Sequence, residues 1–259
     1  MGRSFAKPVT TPVGLNSCTD FLRIQVPGCW CFPSLALQCG NVAPGILEKF
    51  FGSQPAAGAE HHAGSGQRIS RRSTGFNEFI KYISRQDGLR ILDVGATSPA
   101  NITFMTGLGH KFHQEDLLRL SADKDLVIPN GDGATALDIE KFLRDNLNFQ
   151  RDEFDAVMLW DLADYLPEVL VKPVIERINL GMKPGSILLA YFHTKDAGPS
   201  EPHCTYHIAS KEAVDMQPAK PYKLQRVFAN RHIENLFHDF ASIKFFLGRD
   251  NMRDVLVIR

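Results

Sequence analysis

The sequence predicts an α/β fold: a mostly parallel sheet with helices on both faces and an antiparallel hairpin strand at its C-terminal end. Three observations predict it. The apolar runs "RILDVG", "FDAVMLW" and "GSILLAYFH" alternate with segments of helical spacing, the order of a sheet wound with helices. Each run is short, continuous and bounded by turn residues, as a strand buried on both faces should be. The last stretch, "SIKFFLGRDNMRDVLVIR", reads as two strands joined at residues 249–251, and so tight a join links only antiparallel neighbours.

The elements follow in order. "STGFNEFIKYISRQDG" opens on a Ser/Thr cap, carries Phe76, Phe79, Ile80 and Ile83 at helical spacing, and stops at Gly88. After "RILDVG", the segment "ANITFMTGLG" reads as a helix with Ile102, Met105 and Leu108 on one face. "HKFHQED" is the second strand and "DLVIPNG" the candidate third. "TALDIEKFLRDNL" is a helix, "FDAVMLWDL" a strand, and "PEVLVKPVIERINLG" a helix ending at Gly181. "GSILLAYFH" is a strand and "NRHIENLFHDF" a helix. The polar segment between them, residues 194–221, reads as a long loop. Loops of that size serve as lids or substrate loops when they are not plain insertions.

Composition divides the chain at residue 70. Residues 1–70 hold Pro8, Pro12, Pro27, Pro33, Pro44 and Pro55 among many small residues, and read as a poorly ordered extension with one docking helix at most. Residues 71–259 form the folded domain. Four of the five cysteines (Cys18, Cys29, Cys31, Cys39) lie in the extension, and Cys204 stands apart. Their spacing matches no paired zinc pattern, so reduced thiols and no metal are expected. His61–His62 reads as solvated linker. Lys+Arg and Asp+Glu both number 29, so no general pull toward nucleic acid or anionic membrane is expected. No apolar run approaches the ~18 residues of a membrane span. The N-terminus lacks a signal-peptide core and the myristoylation pattern. The expectation is a soluble, cytoplasmic protein.

The turn after the first central strand carries the chemistry. Gly95 follows "RILDV" directly, where the backbone turns sharply and a ligand can come close. Ser98 is placed to cap the next helix, and Pro99 suits its first position. The N–H groups and dipole of that helix end favour a carboxylate or phosphate. In open α/β sheets ligands bind beyond the carboxyl ends of the strands, where strand order reverses. Strand, glycine, cap and helix together also describe an ordinary β–α connection.

Over residues 71–259 the order of motifs resembles class I S-adenosylmethionine-dependent methyltransferases, whose Rossmann-like sheet ends in a reversed hairpin strand. "LDVGATS" resembles the family's first motif: Asp93 and Gly95 match, while Thr97 and Pro99 stand where further glycines are usual. "HKFHQED" resembles the second strand with its ribose-binding acid. Glu115 and Asp116 lie 22 and 23 positions after Asp93, near the ~20 that a ribose carboxylate needs. "NLNFQRDEFDAVMLWDLADYL" resembles the lead-in to the fourth strand, with Asp161 after it, and "INLGMKPGSILLAYF" the segment leading into the fifth.

The resemblance implies S-adenosylmethionine as cofactor and a small-molecule acceptor, with Asp93, Gly95, Thr97, Glu115, Asp116, Asp145 and Asp161 toward the cofactor. Asp93 would organise the methionine end; otherwise it is the polar end of a buried strand. Asp116 is alternatively a helix cap, leaving Glu115 for the ribose. Asp145 falls near the adenine-contacting acidic position, although it reads as helical. Asp161 lies at the reacting centre or caps a short helix. His193, ending the fifth strand, would take a proton from a hydroxyl or amine acceptor, or is structural. Asp164 and Tyr165 would border the substrate pocket, and Trp160 is core or borders adenine. Two rival readings stand beside this one. The first is a non-catalytic methyltransferase-like scaffold, favoured by the missing glycines. The second is a nucleotide-dependent oxidoreductase, opposed by the absence of G-x-G-x-x-G and by the terminal hairpin.

Overall fold

The computed structural model describes residues 67–130, 134–194, 203–219, 222–248 and 250–259, all within one compact unit, Ala59–Arg259. The N-terminal extension, with its cysteines and His61–His62, lies outside the described residues apart from 67–70. The chain begins with β1 (Ile69–Arg72), α1 (Thr74–Ile83), β2 (Arg90–Asp93), α2 (Pro99–Gly107), β3 (Lys111–Gln114) and α3 (Leu117–Leu120). It continues through β4 (Val127–Asn130), β5 (Ala134–Leu137), α4 (Ile139–Asn146), β6 (Phe154–Trp160), α5 (Leu162–Tyr165) and α6 (Glu168–Gly181). It closes with β7 (Met182–His193), β8 (Cys204–Ile208), β9 (Ala213–Pro218), α7 (Asn230–Leu236), β10 (Ser242–Leu247) and β11 (Met252–Ile258).

The central sheet has the strand order β10-β11-β7-β6-β2-β3. β3, β2, β6 and β7 are parallel; β11 runs antiparallel beside β7, and β10 antiparallel beside β11. The mostly parallel, Rossmann-like sheet and its reversed hairpin strand are therefore as expected from sequence. From β2 the chain steps outward to β3, and later returns to the other side of β2 as β6. The order reverses between β2 and β6, and the crevice of an open α/β sheet belongs at that point.

Side chains alternate between two cores, one on each face. On one, Leu92, Val157, Leu188 and Val255 meet Phe142 of α4, Val174 and Ile178 of α6, and Ile233 of α7. On the other, Ile91, Ala156, Met158 and Leu189 meet Phe76, Phe79, Ile80 and Ile83 of α1, Met105 of α2, and Tyr206 and Val214 of β8 and β9. Both expected caps form: Ser73 accepts from the Phe76 N–H and Ser98 from the Asn101 N–H, with Pro99 in the first turn.

Four expectations are corrected. "DLVIPNG" is no third strand of the sheet: β4 pairs only with β5, in a separate antiparallel ribbon. The helix expected from residue 135 begins at Ile139, because Asp138 caps it by accepting from the Lys141 N–H. The described part of the polar segment, residues 203–219, contains β8 and β9, which pair antiparallel and form a three-stranded sheet with β1. In α2 the buried residues are Asn101 and Met105, while Ile102 is exposed.

β1 straddles residue 70 and ties the start of the unit to its last strand. The buried Arg71 guanidinium donates to Asp254 Oδ1 at 2.6 Å, and also bonds Asp250. Asp254 Oδ2 accepts from Ser73 Oγ at 2.7 Å and from the Gly75 N–H at 3.0 Å. A Cβ on Gly75 would lie 2.5 Å from the Asp254 Cβ, so only glycine lets α1 start against β11. No helix among the described residues is long and apolar enough to cross a membrane.

Candidate functional site

A cleft of about 190 Å³ opens at the carboxyl ends of β2, β3 and β6, at the switch point. Gly95 and Ala96 form its floor, Asp116 and Leu118 one side, and Trp160, Asp161 and Leu162 the other. His203, Cys204, Thr205 and Tyr206 of the β8 region supply the wall over it. The segment read from sequence as a loop is thus a wall of the site.

Asp93 is fully buried, and its own chain takes both oxygens. Oδ1 accepts from the Gly95 N–H at 2.9 Å and from Trp160 Nε1 at 2.7 Å; Oδ2 accepts from Asn101 Nδ2 at 3.1 Å. Burial pushes its carboxyl up to about 6, against the lowering effect of those donors. Asn101 is the hub that sequence reasoning missed. Its amide also donates to the Tyr206 carbonyl, and its Oδ1 accepts from the Ile208 N–H. Ser98 Oγ lies 2.8 Å from His207 Nδ1, so β8 also packs across the start of α2.

Trp160, expected as core or at the cleft, is buried and lines it, but its backbone was not anticipated. The β6–β7 register shifts between Met158 and Trp160, and Trp160 has φ 53°, the left-handed region. For a bulky residue that is a strained conformation. The irregularity re-aims the side chain, and the indole stacks on the Tyr206 ring, centroids 5.0 Å apart and planes 4° apart. A Cβ placed on Gly95 would lie 2.5 Å from Trp160 Cδ1. The side of the glycine where a Cβ would stand is filled by the protein's own indole.

Asp161 lies in the cleft, 3% exposed, and makes no side-chain cap to α5. Its Oδ2 accepts from the Tyr206 hydroxyl at 2.9 Å, and its Oδ1 lies 4.0 Å from His203 Nε2. His203 is 8% exposed, its Nδ1 is buried without a hydrogen-bond partner among the described residues, and Tyr165 and Tyr222 pack edge-on against its ring. Those two rings fix its orientation.

The remaining sequence candidates divide. Asp116 lines the cleft and also caps α3, accepting from the Arg119 N–H at 3.1 Å; Glu115 is exposed and outside the lining. Burial raises the Glu115 carboxyl above its ordinary value. Thr97 is exposed and outside the cleft. Asp145 sits on the outer face of α4, paired with Lys141 at 3.2 Å and Arg144 at 3.1 Å, away from the cleft. His193 does not line it either: the His193 Nδ1 and backbone N–H lie 2.8 and 2.7 Å from Asp164 Oδ2, and Tyr165 stands between the His193 and His203 rings. Of the sequence candidates, the cleft therefore gathers Gly95, Asp116, Asp161 and Trp160. One signal could have found the Trp160 contact: a buried indole N–H and a carboxylate within a strand each need a partner.

No family model and no curated protein matches the chain. Its structure is similar to that of an S-adenosylmethionine-dependent methyltransferase from Archaeoglobus fulgidus, with TM-score 0.43 and 10% identity over 71% of this chain and 92% of that one. It is similar to the Burkholderia thailandensis 1,6-didemethyltoxoflavin-N1-methyltransferase bound to 1,6-didemethyltoxoflavin and S-adenosylhomocysteine, with TM-score 0.39 and 9% identity over 72% of this chain and 78% of that one. A possible exported protein from Bordetella parapertussis gives TM-score 0.38 and 11% identity over 71% of this chain; the match spans 66% of the Bordetella protein's length.

Proposed function

We propose that the switch-point cleft binds S-adenosylmethionine and that the chain is a methyltransferase for a small-molecule acceptor. The observation that carries this is a carboxylate, Asp116, at the end of β3, facing the Gly95–Ala96 turn at the end of β2 across one cleft. That is where an open α/β sheet holds a ribose and the group beyond it. The adenosyl half fits: Asp116 accepts the ribose hydroxyls, and Leu118, Leu159 and Leu162 offer apolar surface to a base. The zero formal net charge agrees with a small acceptor rather than a polyanion.

S-adenosylmethionine supplies a methyl group on a sulfonium already activated for displacement, so the protein's part is alignment, exclusion of water and removal of one proton. His203 is the imidazole placed for that last task. It borders the cleft, and Asp161 stands on its Nε2 side. A hydroxyl or amine acceptor would give its proton to this ring.

One observation favours a non-catalytic reading. Asp93 is fully buried with both oxygens engaged by the chain's own donors, and Trp160 packs against Gly95. Calorimetric titration of the full chain with S-adenosylmethionine, S-adenosylhomocysteine, adenosine and NADH tests both. Binding of the adenosyl compounds and not NADH, lost in Asp116→Ala, supports the cofactor reading. A folded protein that binds none of them is a scaffold.

A further inference from the structure

The cleft is small for the ligand just proposed. About 190 Å³ falls below the ~300–1,000 Å³ of pockets that bury a drug-sized ligand. The indole of Trp160 narrows the cleft beside Gly95, packing on the side where a Cβ would stand. In nucleotide sites at a switch point the ribose meets the acid after the second strand, and the charged extension runs to the first turn and the helix end behind it. Here Asp116 has the first position, and Trp160 packs against Gly95 beside the second.

The indole is held there from three sides. Its Nε1–H donates to Asp93, its face stacks on Tyr206, and Phe76 and Tyr191 pack on it with centroids 6.4 and 5.6 Å away. The backbone beneath it is strained by its φ of 53° and by the irregular β6–β7 register. An aromatic residue persists in that conformation only when its surroundings over-determine it. Tyr206, whose ring holds the indole, also bonds Asp161 in the cleft. The residues that close the turn are thus connected to those that face a substrate.

Resting on the adenosyl-site reading, we propose that Trp160 is the specificity-determining residue of the cleft. In the arrangement described, the site takes an adenine nucleoside that ends at its 5′ hydroxyl. A charged 5′ extension, such as an amino-acid tail, enters only after the indole leaves Gly95.

The test is calorimetry on the full chain with adenosine and with S-adenosylhomocysteine, which carries such a tail and no transferable methyl. Wild type should bind adenosine at least as tightly as S-adenosylhomocysteine. Trp160→Ala should bind S-adenosylhomocysteine about tenfold more tightly, with adenosine affinity unchanged. The inference is overturned if wild type already binds S-adenosylhomocysteine about tenfold more tightly than adenosine and the variant gains nothing. If the alanine variant does not fold, the emission of Trp160 in a Trp30→Phe background decides. S-adenosylhomocysteine should move it by displacing the indole from Tyr206; binding with no change in emission overturns the inference. If neither compound binds folded wild type or variant, the adenosyl-site reading fails first, and this inference with it.

Discussion

Asp164→Asn should stabilise the protein above pH 6, and the size of the effect follows from the site. Asp164 is fully buried; its Oδ2 accepts from the His193 N–H and faces His193 Nδ1, and its Oδ1 has no partner among the described residues. Burial raises its carboxyl from 3.8 to about 6, against the opposing His193 bonds and with a small push from Asp161. A raised folded-state value means that the native protein takes the proton first. The group's favourable contribution is complete below pH 3.8 and is lost as pH rises through about 6. The shift is about two units, or about 3 kcal/mol of native-state penalty on the ionised group at neutral pH. Asparagine keeps one acceptor for both His193 groups and carries no charge. Urea unfolding of wild type and variant at pH 4, 5, 6 and 7.5 isolates Asp164 and the groups coupled to it, Asp161 and His193, because the other carboxylates cancel in the difference. The difference should be near zero at pH 4 and approach about 3 kcal/mol in the variant's favour at pH 7.5. A difference that stays flat with pH, or a variant less stable at pH 7.5, would refute the reasoning.

Three other perturbations have definite outcomes. Gly95→Ala places a Cβ against the indole; it should cost about 1–3 kcal/mol in denaturant unfolding and weaken the near-ultraviolet dichroism of the Trp160–Tyr206 stack. Asp254→Ala leaves the buried Arg71 with the half-exposed Asp250 as its carboxylate partner among the described residues and should cost about 3–5 kcal/mol in the same assay. Asn101→Asp sets a second carboxylate 3.1 Å from Asp93; its melting temperature should fall as pH rises from 5 to 8, more steeply than in wild type.

What could be read from the sequence was local. Ser73 and Ser98 announced their helices because a cap is a short-range hydrogen bond. β2, β6 and β7 announced themselves because burial on both faces leaves continuous apolar runs. The misreadings arose where distant partners decide. Periodicity put Ile102 on the inner face of α2, but Asn101 goes in, since Asp93 and β8 satisfy every polar atom of its amide. Counting apolar residues cannot register that. β8 carries Thr205 and His207 and looked like loop; it is a strand because β9 and Asn101 complete its backbone bonds. Asp161 was legible as a cleft residue from its place after an apolar run; Asp116 was legible only as one of a pair spaced from Asp93, with Glu115 preferred for the ribose. His203 and Tyr206, in a polar segment, were not.

The Arg71–Asp254 pair has a consequence for how the molecule comes into being. Its partners are 183 residues apart, and they fasten β1 to β11. During synthesis β1 and α1 emerge early, and α1 can pack on β2, β6 and β7 before the last strand arrives to complete the bond to Arg71. Contacts of such long range close late and slow the search for the native topology. If the pair is absent from the transition state, its loss appears in the rate at which the native protein opens. Asp254 would then act as a latch on the finished fold and contribute little to its nucleus.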